Sequence, residues 1–412
     1  MIINSFRFKL ICKAVFFLLV FCVSPKLFAE NSNLNSACAT HSKGVNAWML
    51  FESEILRRGG VVPEELLEKY AKNINFDLNR IIINNGFDAI RFPVNPALYK
   101  IDANKKIISE IISDIKKYNY RCIIIDVHPR FYKKNESPDG IIFAQKNKLP
   151  EYNNYIEFIR FILRNFDDSR FVLELLNEPG LDCSSSSVNI VHNFHLNVIK
   201  DLDNLSKGVT FLYNSSCNSS FRSLIKLNRN QIKELGDNFL FSFHYYEPLI
   251  FTHQGSLWSK RFPYLRYISR LPFDGLLDDI DFAIKNFKSK FFSGLISEEV
   301  FLLGSSVLDE YRREIYGERN IFESFRLVKN WSIENEIDGR VVLGEFGVIR
   351  SGDDTGPGEK DRIKWLEAVR RAANFYGFGW YVWDYMSYMG ISVSTGSIAI
   401  SDDYISALGL VR

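Results

Sequence analysis

The sequence predicts an α/β fold, a single (β/α)8 TIM barrel with a long insertion after the sixth strand. Three observations predict it. Short apolar runs alternate with longer amphipathic ones eight times over. Runs such as CIIIDV and FVLELL are apolar on both faces, as strands of a helix-covered parallel sheet must be. Polar residues gather at the C-terminal ends of these runs, where barrels of this kind hold their chemistry. Eight strand–helix units close a barrel more readily than they fill an open doubly wound sheet.

The strands are expected at residues 44–49, 87–94, 121–128, 171–177, 209–214, 239–246, 340–346 and 378–383. Between them, apolar positions recur at three and four residues, as Ile156, Ile159 and Leu163 do within 151–165. This periodicity predicts helices over 63–85, 107–118, 151–165, 188–205, 219–227, 318–335 and 361–376. Residues 249–317 are too long for a βα loop and carry helical periodicity of their own (LLDDIDFAIKNF). They read as an insertion on the loop face, because no Gly- or Ser-rich linker brackets them.

Residues 1–29 precede the barrel. Arg7, Lys9 and Lys13 come first, then the apolar run AVFFLLVFCV, then a short stretch ending at Ala29. This is the three-part pattern of a secretory signal. Ten apolar residues are too few to span a bilayer comfortably. The reading is therefore export, to the periplasm or beyond, and a mature domain over 30–412. Export removes Cys12 and Cys22 and leaves Cys38, Cys122, Cys183 and Cys217. No Cys-x-x-Cys spacing suggests zinc. Cys122 opens an apolar strand and reads as a buried thiol.

The chain of 412 residues carries 51 Lys+Arg against 49 Asp+Glu. Without residues 1–29 the balance is 47 to 49. That near-neutral surface offers no electrostatic reason to expect nucleic acid or anionic membrane as the partner.

The strand ends hold the chemistry. In order they read Arg91-Phe92-Pro93-Val94, Asp126-Val127-His128, Leu176-Asn177-Glu178-Pro179, His244-Tyr245-Tyr246-Glu247-Pro248, Gly344-Glu345-Phe346-Gly347 and Trp380-Tyr381-Val382-Trp383-Asp384. Glu178 and Glu345 come from the fourth and seventh strands. Glycoside hydrolysis needs such a pair, one carboxyl to protonate the leaving oxygen and one to meet the oxocarbenium-like carbon. An Arg beside one of them would keep it ionised and leave the proton to the other. Asn177 suits a sugar hydroxyl, and an aromatic such as Trp383 suits the C–H face of a sugar ring.

With these motifs in place the sequence resembles glycoside hydrolase family 5, the cellulase-type retaining β-glycosidases. The matching segments are GVNAW, RFPV, DVH, LNEP, HYYEP, GEFGV and WYVWDY, in that order from residue 44 onward. HYYEPLIFTHQG with the later Trp258 further resembles a bacterial endoglucanase-like branch. The resemblance implies Glu178 as acid/base and Glu345 as nucleophile. It implies that Arg91 and Tyr246 flank Glu345, that Asn177 holds substrate, and that His128 and His244 bind sugar hydroxyls or tune Glu178. It places Trp383 under the sugar before the cut. It implies no metal or organic cofactor. The partner is a β-glycan oligo- or polysaccharide, and a monomer is expected.

One departure stands out. Related sequences commonly carry a Trp just after the fifth strand, whereas here the chain reads Tyr213-Asn214-Ser215-Ser216-Cys217-Asn218-Ser219. Cys183 and Cys217 follow neighbouring strands and are a candidate disulfide at the rim. His253 and Trp258 are candidates for the cleft, and Trp48 for cleft or core. His192 and His195, three apart on a helix, read as a solvated face. The functional reading is a retaining endo-β-1,4-glucanase-like hydrolase. The same machinery on β-1,3-glucan or mannan, or a non-hydrolytic glycan-binding protein on the same barrel, stays open.

Overall fold

Eight parallel strands close into one barrel in chain order, β1 to β8. They are β1 (Lys43–Asn46), β2 (Ala89–Val94), β3 (Cys122–Val127), β4 (Phe171–Glu174), β5 (Thr210–Asn214), β6 (Phe239–Tyr245), β7 (Val341–Phe346) and β8 (Gly379–Val382). The computed structural model describes residues 36–48, 50–63, 77–129, 137–259, 261–350 and 356–412. The expected export segment lies outside them. No described helix is long and apolar enough to cross a membrane.

Seven strands fall inside their expected runs and β1 starts one residue before its own, at Lys43; the runs are readable because nearly all strand residues are buried on both faces. All six residues of β2, β3 and β7 are buried, as are all seven of β6. Of the helices of six residues or more, some start at a residue whose side chain caps them. The described ones are α1 (Leu50–Arg57), α2 (Leu78–Asn84), α3 (Asp102–Ile115), α4 (Pro138–Asn147), α5 (Pro150–Asn165), α6 (Ser185–Leu202), α7 (Arg229–Leu235), α8 (Leu277–Phe292), α9 (Glu298–Glu314), α10 (Glu318–Glu334), α11 (Glu359–Tyr376) and α12 (Asp402–Ala407). Asp77 caps α2, Ser184 caps α6, and Asn228 with Gln231 forms a capping box on α7.

Several expectations are corrected. The helix expected over 63–85 is described only as α2, since 64–76 lie outside the described residues, and α1 precedes it unexpectedly. The helix expected over 219–227 is a single turn, Phe221–Leu224, followed by α7. The helix α4 has no counterpart in the periodicity. Its signal was the start, Ser137 accepting from the Gly140 N–H with Pro138 in the first turn. His192 and His195 are not on a solvated face: both are buried, His192 against Glu234 (2.8 Å) and His195 against the Asn214 carbonyl (3.2 Å). Cys122 is not a thiol. It is bonded to Cys38, 84 residues away, a pairing no local pattern announces.

Two features of the fold position the site. Between β6 and β7 the register shifts, so that Phe243 pairs with Leu343 but His244 pairs with Glu345. Gly344 is the extra residue, and this bulge turns Glu345 toward the barrel mouth. Below the rim, the buried Arg362 of α11 donates to the carbonyls of Val348 (2.9 Å) and Met389 (2.8 Å) and to Tyr404 of α12. It ties the segments after β7 and β8 to the outer helices.

Candidate active site

The site is built around Arg91, a fully buried guanidinium on β2. A lone buried cation is costly, so its surroundings supply acceptors. Nε and Nη2 hold Glu174 through two bonds of 2.6 and 2.7 Å. Nη1 donates to Asn46 and to Glu345, both at 2.7 Å. Nη2 also donates to Asn177 (2.8 Å) and lies 3.0 Å from Asp126. One Arg therefore fixes residues from β1, β3, β4 and β7, and the Asn177 that follows β4. The rigid fork of a guanidinium is suited to this and an ammonium is not.

Glu345 sits at the end of β7. Its Oε1 takes the Arg91 bond and its Oε2 accepts from the Tyr246 hydroxyl at 2.8 Å. Glu178 follows β4 with φ of 39°, a left-handed backbone that non-glycine residues adopt sparingly and that clusters at functional sites. Its Oε1 meets His244 Nδ1 at 2.7 Å, and the same nitrogen is 3.5 Å from Glu345 Oε2. One ligand atom each from Glu178, His244 and Glu345 lie within 4.8 Å of one another.

Burial pushes both carboxyls up, to about 7 for Glu178 and about 7 for Glu345. The two face each other, so one proton serves the pair. Its resting place is decided by donors. Glu345 takes a guanidinium and a phenol directly, whereas Glu178 takes neither. The proton therefore rests on Glu178 and the charge on Glu345. Burial also lowers His244, to about 4, which keeps it neutral between them.

The remaining expected residues gather as follows. His128 Nδ1 meets Asp126 Oδ2 at 2.6 Å, and its Nε2 faces the Asn177 amide at 3.4 Å. The Trp383 ring stacks beside His128 at 5.9 Å and tilts against Trp48 at 4.8 Å. Trp48 is buried and packs with Trp383 in the hydrophobic core. Gly347 lets the β7 end approach, since a Cβ there would collide with the Trp383 carbonyl. His253 is held by Thr252 Oγ1 (2.9 Å) and packs edge-on against Tyr246. Trp258 is 46% exposed and lies against Tyr388 from the segment after β8, ring centroids 4.6 Å apart. Beyond the C-terminal ends of β4 and β5, Cys183 and Cys217 are bonded. Backbone bonds from Cys217 to Leu181 (2.8 Å) and Asn218 to Pro179 (2.9 Å) tie the segment after β5 to the one carrying Glu178.

Sequence reasoning did not single out Asn46, Asp126, Glu174 or Asn214 as site residues. Glu174 was detectable in principle: it is the one charge inside FVLELL, and a charge in a strand buried on both faces requires a partner. Asn214 bonds Glu174 and the Leu176 carbonyl (3.1 Å) from behind.

Known proteins match this chain. A family model described as Cellulase (glycosyl hydrolase family 5) matches residues 67–388. Endoglucanase C of Acetivibrio thermocellus is 24% identical over 315 residues, covering 74% of this chain and 81% of its own. Cellodextrinase A of Ruminococcus flavefaciens is 23% identical over 301 residues, covering 71% and 72%. Among solved structures, endoglucanase Cel5A of Thermotoga maritima superposes with a TM-score of 0.61 at 18% identity, covering 91% of this chain and 98% of that one. The cellulose synthase subunit Z of Clostridioides difficile superposes with a TM-score of 0.59 at 21% identity, covering 89% and 98%. Those structural likenesses concern the fold.

Proposed function

The chain belongs to glycoside hydrolase family 5, and from that premise we propose that Glu178 and Glu345 divide the labour of a β-glucan hydrolase that acts with retention. Glu178 protonates the glycosidic oxygen while Glu345 attacks the anomeric carbon and forms a glycosyl–enzyme ester. Water, deprotonated by Glu178, then releases the sugar. The observation that carries this reading is the asymmetry of the pair: Arg91 and Tyr246 bond Glu345 alone. The short separation supports retention. Retaining carboxyls stand about 5–5.5 Å apart, whereas inverting pairs stand about 6.5–9.5 Å apart to admit a water.

The finer assignment is β-1,4-glucan, cleaved by an exported enzyme whose signal is residues 1–29 and whose catalytic domain is 30–412. The endoglucanase relatives support the linkage. Residues 249–317 form one wall of the cleft, a reading supported by Trp258 against Tyr388 and His253 against Tyr246. Asn177 and the Trp383 ring serve the sugar held at the reacting carbon.

The test is turnover of β-1,4-glucan, β-1,3-glucan and mannan by the wild type, Glu178→Gln and Glu345→Gln. The wild type is expected to act on β-1,4-glucan and to release the β-anomer first in NMR. Glu178→Gln is expected to lose ~10²–10⁴-fold, and Glu345→Gln, which removes the nucleophile, to lose at least as much. Equal turnover in all three proteins, or initial α-anomer, would overturn the assignment.

A further inference from the structure

His244 stands between the two carboxyls, and what it presents to them depends on which of its nitrogens holds hydrogen. A neutral imidazole has one donor and one acceptor nitrogen, and the partner of the far nitrogen selects between the two forms. Nδ1 is engaged with Glu178 and Glu345. Nε2 is buried with no hydrogen-bond partner among the described residues, and the same holds for Ser242 Oγ. Ser242 lies two residues before His244 on β6, so both side chains point to one face. They also border one space. A Cβ on Gly344 would collide with Ser242 Oγ and lie 3.1 Å from His244 Nε2. Only glycine leaves room there for the two polar groups to meet, directly or across one water.

We propose that Ser242 is a positioning residue for the acid: its hydroxyl donates to His244 Nε2 and so holds the imidazole in the Nδ1–H form. This rests on the reading of Glu178 as acid/base. With hydrogen on Nδ1, Glu178 Oε1 is an acceptor in both charge states of that residue. The acidic proton is then confined to the other oxygen, free of His244. In the reverse form, bare Nδ1 would draw the proton onto Oε1 in an O–H···N bond, where it cannot reach the leaving group. A competing acceptor exists, since Asn214 Oδ1 is buried without a partner among the described residues and Asn214 pairs with Ser242 in the sheet. Donation to Asn214 would turn the Ser242 oxygen toward Nε2–H. The Glu345 carboxylate decides against that, because a bare Nδ1 would stand 3.5 Å from its Oε2, lone pair against lone pair.

The experiment combines 15N NMR of histidine-labelled enzyme with kinetics on two substrates. His244 is assigned from the spectrum of His244→Gln. The wild type is expected to show Nδ1 protonated and Nε2 bare, and Ser242→Ala to show a second neutral population with the hydrogen on Nε2 in place of Nδ1. On an unactivated cello-oligosaccharide, Ser242→Ala is expected to lose about tenfold in kcat, part of the ~10²–10⁴ that a general acid supplies. A dinitrophenyl cellobioside departs without a proton, so its kcat/KM should be unchanged, which also reports that the variant is folded. A wild-type signal of Nε2–H overturns the proposal without any variant. So does an equal loss, or no loss, on the two substrates. If Glu178→Gln itself slows both substrates equally, the acid/base reading of Glu178 is what fails.

Discussion

Replacing Arg91 by Lys tests the electrostatic asymmetry directly. Arg91 makes five hydrogen bonds, to Glu174, Asn46, Glu345 and Asn177, and a sixth polar contact to Asp126. An ammonium has three hydrogens, so at least three of the six contacts are lost, and the bidentate hold on Glu174 competes with Glu345 for what remains. The charge of Arg91 draws Glu345 down against the push of burial. At a charge separation of about 4 Å and an effective dielectric of about 20, that attraction is about 4 kcal/mol, or about 3 pKa units. Lys keeps the charge but withdraws it from Glu345 Oε1, so a rise of about 1–2 units is expected, within the range such neighbours produce. A nucleophile must be ionised, so raising its pKa moves the acid limb of the pH profile toward higher pH. Measured as kcat/KM on soluble β-1,4-glucan, Arg91→Lys should fall about 10- to 100-fold below wild type on the acid side, while the alkaline limb, set by Glu178, moves far less. An acid limb that stays put, or shifts to lower pH, would refute the role given to Arg91.

Two further predictions concern stability. The Cys183–Cys217 and Cys38–Cys122 bridges close segments of 34 and 84 residues, so opening either should cost about 4–5 kcal/mol by chain entropy. For a chain of this size that is a fall of about 5 °C in Tm per bridge, read by calorimetry with and without reductant. The chain lacking residues 1–29 should show no free thiol when denatured without reductant, and four would refute both bridges. The second prediction concerns His195, which burial holds neutral down to about 3. The unfolded chain takes up that proton near pH 6.5, so the stability from keeping the ring neutral is present above pH 6.5 and is lost as pH falls toward 3. Between pH 7 and pH 5 the wild type should lose about 2 kcal/mol more than His195→Gln in urea titrations, and parallel losses would refute this.

Much of the site was legible because it lies at strand ends. His128, Asn177, Glu178, His244, Tyr246, Glu345 and Trp383 are each polar or aromatic residues at or near the end of an apolar run, Arg91 is the one charge within another, AIRFPV, and barrel closure carries these runs to one mouth. Glu174 and Asp126 were harder to read. They lie within the apolar runs FVLELL and CIIIDV, and a single charge within an apolar run does not say which cation answers it. His192 and His195 misled because their helix α6 carries polar residues on either side, while β5 and Glu234 cover the two rings in space. Cys122 misled for a similar reason, its partner lying on a segment that only the closed barrel brings near.

The sequence by itself determined the barrel, the order of its strands and the two carboxyls, because periodicity and strand ends are local properties of the chain. The motifs already implied that Arg91 and Tyr246 flank Glu345; the tertiary structure decided which oxygens they bond, that His244 meets Glu178, and that Arg91 is shared with Glu174, Asn46 and Asn177. That outcome depends on distances of a few ångströms between groups up to 254 residues apart, and on the loss of water around them. Coulombic and hydrogen-bond energies change steeply over such distances in a buried site, and the chain's local pattern carries no record of either.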